Sequence, residues 1–443
     1  MSGCLGRFSG SVVRGWCLGM GILLAAVGSA GGQFLSEERA VEMALESNPQ
    51  ILAAQARLSN AKAGVWEATS NMLPTAAASY SKTRNREEVA FELDIPGLGN
   101  MGKQVIMPLE TKSFSVDVTQ PLFVGGALYQ ARRIASRGVD AARSDVAAVR
   151  QSVALQAREA YYNVIRAQGI LEIVRETHAQ VSENQRVVYK MFEVGLVPNS
   201  DVLRVDAALA EVEQSLQEAE EGVGLAKARL NMVLNRPLDT PVAVDRSVEI
   251  LPFDLSLDAC TERALRDRPD LRQTEANVDI AKRGVRASAG GLIPSVSLIY
   301  HYEWSDQETA FAPQDSWRLM GMLSYNLPLG FGHAARVKSA RAGAREAERG
   351  LEQLEDGVEL EVQSAWSALN VARKGLRFAE RQLASATENR RVMDRRYREG
   401  EATYLDLLDA ETLLTQAKVN NLSTRIDYRM ALASLRKAMG EEE

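Results

Sequence analysis

The chain has 443 residues, of which 46% are hydrophobic and 25% are charged, and its formal net charge at pH 7 is −6. This acidic balance argues against a nucleic-acid partner, because binding to a phosphate backbone requires clustered lysine and arginine. The three histidines are scattered, and the sequence lacks the spacings typical of metal ligands, phosphate-binding loops and nucleophile elbows. We therefore expect no metal site, no cofactor and no enzyme activity.

The first thirty residues are typical of a secretory signal peptide. Arg7 and Arg14 precede an apolar stretch at 16–27, and small residues allow cleavage after Ala30. An uncleaved anchor helix is the alternative, but this apolar stretch is shorter than the roughly 20 residues that a bilayer requires. After cleavage Cys260 is the one remaining cysteine, so the mature chain is expected to contain no internal disulfide.

The rest of the chain contains two copies of one long unit. Residues 35–74 align without a gap with residues 255–294, a shift of 220, and from Tyr161 to the end the shift is 205. We therefore divide the chain into a first repeat at 31–254 and a second at 255–443. A unit of this length far exceeds the roughly 20–50 residues of solenoid repeats, so it indicates a duplicated architecture.

Each repeat is predicted to begin with a helix and two strands. The helices run from Ser36 to Asn71 and from Ser256 to Ile293, and the strands lie at 75–84, 112–123, 295–304 and 316–327. The strands alternate apolar and polar residues, which is typical of a transmembrane β-barrel and equally of a soluble sheet packed on helices. Four strands cannot close a barrel, whereas three chains would supply twelve.

A long helical hairpin follows the strands in each repeat. The first long helix is predicted from Ala127 to Val194, roughly 100 Å by helix rise. A turn near 195–201 leads to a helix whose apolar residues step by three and four, as in a coiled coil: Val202, Val205, Leu209, Val212, Leu216, Ala219, Val223, Ala226, Leu230 and Val233. A linker at 236–254 follows. The second hairpin turns near 400–406 and keeps the pattern less strictly.

Several motifs occur in order along the two repeats: Asn48-Pro49, the helix ends Leu73-Pro74 and Ile293-Pro294, Gln120-Pro121-Leu122-Phe123 with Gly125-Gly126, and the turns at 194–203 and 400–410. On these motifs, which span the whole mature chain, the protein resembles the TolC family of outer-membrane efflux proteins. The resemblance implies a mainly α fold with a small β part. It also implies a homotrimer in which a twelve-stranded barrel in outer-membrane lipid continues into a twelve-helix periplasmic tunnel.

By this resemblance the helical turns form the periplasmic entrance of the tunnel. Asp406 and Asp409 lie one turn apart on one helix face and match the family's constriction, where three chains would gather six carboxylates. Such a ring attracts cations and slows anions. A structural alternative is that Thr403 and Asp406 form a capping box at the helix start. The two functions are compatible.

Three further residues match positions that keep the entrance closed in the family: Tyr397, Ser200 and Asp201. The family's basic partner at this lock falls on Ala402, which cannot pair with a carboxylate. We expect either that this contact is missing or that Arg395, Arg396 or Arg398 replaces it.

The resemblance implies a passive exit duct that receives its cargo from a periplasmic adaptor and an inner-membrane efflux pump or ABC transporter. A soluble periplasmic coiled-coil scaffold or adaptor is the alternative from another class of protein, because the helical hairpins alone would suit either. The aromatic, alternating strands are the feature that separates the two classes, and fractionation separates them too: the channel forms detergent-dependent trimers, whereas the scaffold is a soluble species.

Overall fold

The computed structural model describes residues 34–95, 99–307, 313–325 and 330–441. The predicted signal peptide at 1–30 lies outside them. The described residues form eight helices: Glu37–Ser47 (α1), Pro49–Ser70 (α2), Ala127–Glu193 (α3), Asn199–Val233 (α4), Leu257–Asp267 (α5), Pro269–Gly290 (α6), Gly332–Arg398 (α7) and Tyr404–Ala438 (α8). They also form six strands: Thr75–Arg84 (β1), Val89–Ile95 (β2), Gly99–Met107 (β3), Glu110–Val124 (β4), Ser295–Ser305 (β5) and Asp315–Ser324 (β6). This confirms a mainly α fold with a small β part. Among the described helices, none is both long and apolar enough to cross a membrane.

The single opening helix predicted for each repeat is in fact two helices. Asn48 and Arg268 each adopt an extended conformation, with φ −65° and ψ 128°, and each precedes a proline. The prediction of one continuous helix was wrong because a proline ring excludes the preceding residue from the helical region. The Asn48 side chain accepts a hydrogen bond from the Gln50 N–H at 2.9 Å and donates one to the Val233 carbonyl at 3.0 Å. The break therefore starts α2 and attaches it to the end of α4.

Four strands form one antiparallel sheet in the order β1-β4-β5-β6. One face carries rows of apolar residues, such as Tyr80, Phe114 and Trp304 directly opposite one another. The other face carries polar contacts, including Ser79 Oγ to Ser115 Oγ at 2.8 Å. The predicted alternation is confirmed on both central strands. Residues 326 and 327 of the last predicted strand lie outside the described residues.

The segment 85–111, between the first two predicted strands, contains the additional hairpin β2–β3. The four predicted strands are the four strands of the sheet, and this hairpin adds two strands that the sequence analysis did not predict. The period-two signal was present in Val89, Phe91, Leu93 and Ile95, but the first repeat has this segment and the second does not, so comparison of the repeats did not reveal it.

The long hairpins repeat with great regularity. Helices α3 and α7 each have 67 residues, and α4 and α8 each have 35. A helix of 67 residues is about 100 Å long. Every residue of the predicted apolar seam in α4 is buried or half-buried, which confirms the hairpin packing.

Each repeat has its own core where the short helix packs on its hairpin. In the first repeat Ala40 and Ala44 of α1 are buried together with Leu230 of α4. In the second, the corresponding residues Cys260, Ala264 and Leu435 are buried in the same way. The core residues of the two repeats correspond to one another by the shifts of 220 and 205 that the sequence shows. The packing of the core is therefore duplicated as well as the sequence.

A half-buried charged network joins the two repeats at the level of α1. Glu37 of α1 binds Arg158 and Tyr162 of α3 and Arg429 of α8. Burial alone would raise the pKa of Glu37, but the hydrogen bond from Tyr162 and the charge of Arg429 hold this pKa below its usual value. The two hairpins are thus fixed to each other well above their turns.

Candidate entrance site at the helical turns

The two helical turns have the same local structure. Gly195 and Gly400 adopt positive φ angles of 75° and 77°, which favour glycine. The Leu196 N–H donates to the Met191 carbonyl and the Glu401 N–H to the Arg396 carbonyl, both at 2.8 Å. These bonds satisfy carbonyls at the helix ends, as in the Schellman motif. The sequence thus fixes a tight reversal at the same place in each repeat.

The turns are held together by an apolar cluster to which all four long helices contribute: Val188, Val202, Val205, Tyr397, Tyr404 and Leu407. The rings of Tyr397 and Tyr404 meet edge to face, with centroids 6.0 Å apart. The Tyr397 hydroxyl approaches the Met191 sulfur at 3.8 Å. Burial and the nearby charge of Asp201 raise the pKa of Tyr397. Tyr397 therefore packs one hairpin against the other.

Asp406 and Asp409 are both exposed on the first turns of α8. Asp406 forms the predicted capping box with Thr403: the carboxylate accepts from the Thr403 N–H at 2.9 Å and the Thr403 hydroxyl accepts from the Asp406 N–H at 3.3 Å. These hydrogen bonds with Thr403 lower the pKa of Asp406, so its carboxylate stays ionised. The side chain of Asp409 has no hydrogen bond or ion pair to any described residue. The capping prediction is confirmed, and the gate remains a prediction.

The other predicted lock residues are not all brought together within one chain. Asp201 is half-buried at the start of α4, and its basic neighbour is Arg204 of the same helix, at 3.8 Å. Ser200 is exposed on the same turn. Of the three arginines considered as replacements at the lock, Arg396 lies 3.7 Å from Glu401 and Arg398 lies 3.1 Å from Asp394. Neither of these two contacts Asp201 in one chain.

The sequence reasoning missed Glu411, which is 6% exposed on α8. Asn184 of α3 donates to both of its oxygens, at 2.9 and 3.0 Å, and Arg390 of α7 lies 3.6 Å away. The available signal was an acid within the apolar pattern of Leu407, Ala410 and Leu414. A carboxylate there must be buried with a partner.

The helical turns thus form a tight apolar junction, and the carboxylates of Asp406 and Asp409 are exposed beside it. Among the described residues, no cluster of histidine, cysteine, aspartate and glutamate could hold a metal ion. What the arrangement offers chemically is negative charge beside a junction between two rigid hairpins.

A family model described as outer membrane efflux protein matches residues 40–236 and 261–441, one segment in each repeat. The chain belongs to this family. Outer membrane protein TolC of Vibrio cholerae is 25% identical over 437 residues, which cover 94% of this chain and 93% of that protein. Outer membrane efflux protein BepC of Brucella suis is 24% identical over 341 residues, which cover 74% of this chain and 72% of that protein.

Solved structures agree on the fold. The CmeC outer membrane channel of Campylobacter jejuni superposes with a TM-score of 0.79 at 18% identity, covering 91% of this chain and 85% of that one. The outer membrane protein VceC of Vibrio cholerae gives a TM-score of 0.77 at 18% identity, covering 91% of this chain and 96% of that one. The protein is therefore an outer-membrane efflux protein of a Gram-negative bacterium and acts in transport. The soluble scaffold alternative does not agree with this membership.

Proposed function

We propose that three copies of the chain form one continuous duct, with a twelve-stranded barrel in outer-membrane lipid and a helical tunnel below it. The duct conducts its cargo passively. A periplasmic adaptor and an inner-membrane efflux pump or ABC transporter deliver the cargo to the entrance formed by the turns. The observation that carries this proposal is that the two outer strands of the sheet, and the helices below them, each have a side without a partner among the described residues. Because the two repeats are equivalent, the free side of one repeat is complementary to the free side of the other in a neighbouring copy.

The sheet has one such pair of edges. Strands β1 and β6 lie at its two ends, and neither has a second partner among the described strands. Unpaired backbone groups cannot remain in the hydrocarbon region of a membrane, so the edges must meet those of other copies. Three copies would give a closed barrel, above the minimum of about 8 strands.

The helices have the same pair of open sides. Helix α3 packs on both α4 and α8, whereas α7 packs on α8, α5 and α6; the packing of α7 on α4 that would be equivalent to α3 on α8 is not made among the described residues. Arg166 of α3 approaches the Met430 sulfur of α8 at 3.7 Å. Moved by the repeat shift, this pair becomes Val371 of α7 and Leu225 of α4, which are 72% and 74% exposed in a single chain. Two apolar residues at equivalent positions are suited to contact between copies.

The repeat also predicts the strand register between copies. Within the chain, Thr119 of β4 lies opposite Ile299 of β5. Moving the first residue forward by 205 positions and the second back by 220 gives Ser324 of β6 and Ser79 of β1. Both serines lie on the polar face of the sheet. We therefore expect Ser324 of one copy to lie opposite Ser79 of the next.

Cysteine cross-linking tests the trimer and its register together. Oxidation of the Ser79→Cys, Ser324→Cys variant in native outer membranes should give a covalent trimer on denaturing gels. The matched control, Ser79→Cys with Leu323→Cys, should not cross-link because these side chains lie on opposite faces. The background is favourable, since Cys260 is buried and is the one cysteine of the described residues. A monomer that is fully folded in detergent, or equal cross-linking of both pairs, would contradict the proposal.

A further inference from the structure

A buried polar contact joins the two hairpins just above the entrance. Glu411 of α8 follows Asp406 by five residues, about 7.5 Å by helix rise. Its carboxylate is bound by Asn184 of α3, from the first repeat, and faces Arg390 of α7, from the second. This contact links the first hairpin, through α3, to α8, the helix that carries the candidate gate residues Asp406 and Asp409.

The internal repeat places a second copy of this contact at the open sides of the chain. Moved by 205 residues, Glu411 corresponds to Asp206 of α4, Asn184 to Asn389 of α7, and Arg390 to Gln185 of α3. One of the two partners of Asp206 is already in place within the chain: Gln185 donates to Asp206 at 2.8 Å. It takes the position that Arg390 has beside Glu411.

The missing half is the asparagine. Asn389 lies on the open side of α7, half-buried, and its side chain has no hydrogen-bond partner among the described residues. Asp206 accepts hydrogen bonds from Gln185 and Tyr189, and a carboxylate has room for a further donor. By the repeat, the residue equivalent to Asn184 beside Asp206 is Asn389, which in a trimer would come from another copy of the chain.

We propose that Asn389 of one copy donates to Asp206 of the next, and that these contacts alternate around the trimer with Asn184–Glu411. The inference rests on the trimer proposed above. Three contacts within chains and three between chains would then form a ring directly above the turns. Asp206 and Glu411 are positioning residues: they hold every hairpin end against its neighbour and so keep Asp406 and Asp409 close to the axis.

The ring also predicts how the entrance responds to pH. Burial, reinforced by the charge of Asp394, raises the pKa of Glu411, although Asn184 and Arg390 oppose the shift. The other charged groups lining this junction are Glu176 of α3 and Lys418 of α8. If the hairpins separate, Glu411 returns to water and to its ordinary pKa, so the closed ring binds the proton more tightly. Raising the pH through the raised pKa should therefore favour opening.

An exchange of the two side chains tests the contact between copies. In planar bilayers, Asn389→Asp places two carboxylates face to face and should increase the conductance of the trimer. Adding Asp206→Asn to the same chain restores one donor and one acceptor in reversed order and should return the conductance to the wild-type value. The matched control is Thr387→Asp, which adds the same charge at an exposed position of α7 and should change nothing.

Glu411→Gln supplies a second readout, because the amide has the shape of the protonated acid and does not titrate. The pH dependence of conductance should be weaker in Glu411→Gln than in the wild type, while both retain Asp406 and Asp409. The inference is overturned if the exchanged double variant conducts like Asn389→Asp alone, or if Asn389→Asp behaves as the wild type. A wild-type protein that forms no trimeric channel would instead contradict the proposed function.

Discussion

Asp406 caps the start of α8 with its carboxylate and is also a candidate gate residue. Its side chain closes the hydrogen bonds at the start of α8 through Thr403, yet it remains exposed. Asp409 lies one turn further along, and its side chain makes no such contact with a described residue. Charge at the entrance and stability of the helix start can therefore be separated by mutation.

At the residue scale, we expect Asp406→Ala combined with Asp409→Ala to raise single-channel conductance and to weaken the preference for cations. The reason is that three chains would lose six carboxylates from a narrow entrance. Barrel assembly should be unaffected, because the turns lie about 100 Å from the strands. Planar-bilayer recordings with reversal potentials in a salt gradient measure both effects.

The control for this pair is Thr403→Ala, which removes the helix cap but keeps both carboxylates. Loss of an N-cap threonine costs about 0.5–2 kcal/mol. A thermal melt should therefore shift downward in Thr403→Ala while its cation preference stays at the wild-type level. An unchanged cation preference in a normally assembled double aspartate variant would leave capping as the one function of this site.

The four-stranded sheet is the element on which membrane insertion depends. Val116 lies near the middle of β4, directly opposite Ala78 and Tyr302 on the apolar face. Leu298 lies on the same face but only three residues from the start of β5, nearer to the helices. Depth in the membrane, as well as the choice of face, should therefore determine the cost of a charge.

At this scale we expect Val116→Arg to destabilise the folded barrel by about 2–4 kcal/mol, and Leu298→Arg to cost less because it lies nearer to the interface. The matched controls Ser115→Arg and Ser297→Arg place the same charge on the polar face and should be tolerated. Urea unfolding of protein reconstituted in lipid vesicles gives the free energies. Equal costs on the two faces would mean that this sheet does not enclose a water-filled lumen.

The whole molecule has two distinct ends. One end of each barrel strand connects to the helices, whereas the Arg84 and Glu110 ends of β1 and β4 lead into the β2–β3 hairpin. A strand of ten residues spans about 33 Å. We therefore expect the hairpin and the helical turns to lie on opposite sides of the outer membrane.

We therefore expect an epitope inserted between β2 and β3 to bind antibody on intact cells while export continues. The same epitope inserted after Gly195 should bind only after the outer membrane has been permeabilised. Exposed hairpin tips tolerate insertion well. The reverse pattern of labelling, in cells that still export, would mean that the orientation is inverted.

The sequence alone determined the duplication, the lengths of the long helices, the faces of the central strands and the capping box. Each of these follows from local chemistry: periodicity, turn glycines and a threonine three residues before an aspartate. It did not reveal the helix breaks at Asn48 and Arg268, although the following prolines required them. The family resemblance added the function that periodicity could not provide.

Only the tertiary structure decided which distant residues meet. The partners of Glu411 are 227 and 21 residues away along the chain, on helices whose rotation about their axes is set by packing. The contact between Tyr397 of α7 and Met191 of α3 is likewise made across 206 residues of the chain. Contacts of this kind depend on the angle at which each helix faces its neighbours, and a one-dimensional pattern does not specify that angle.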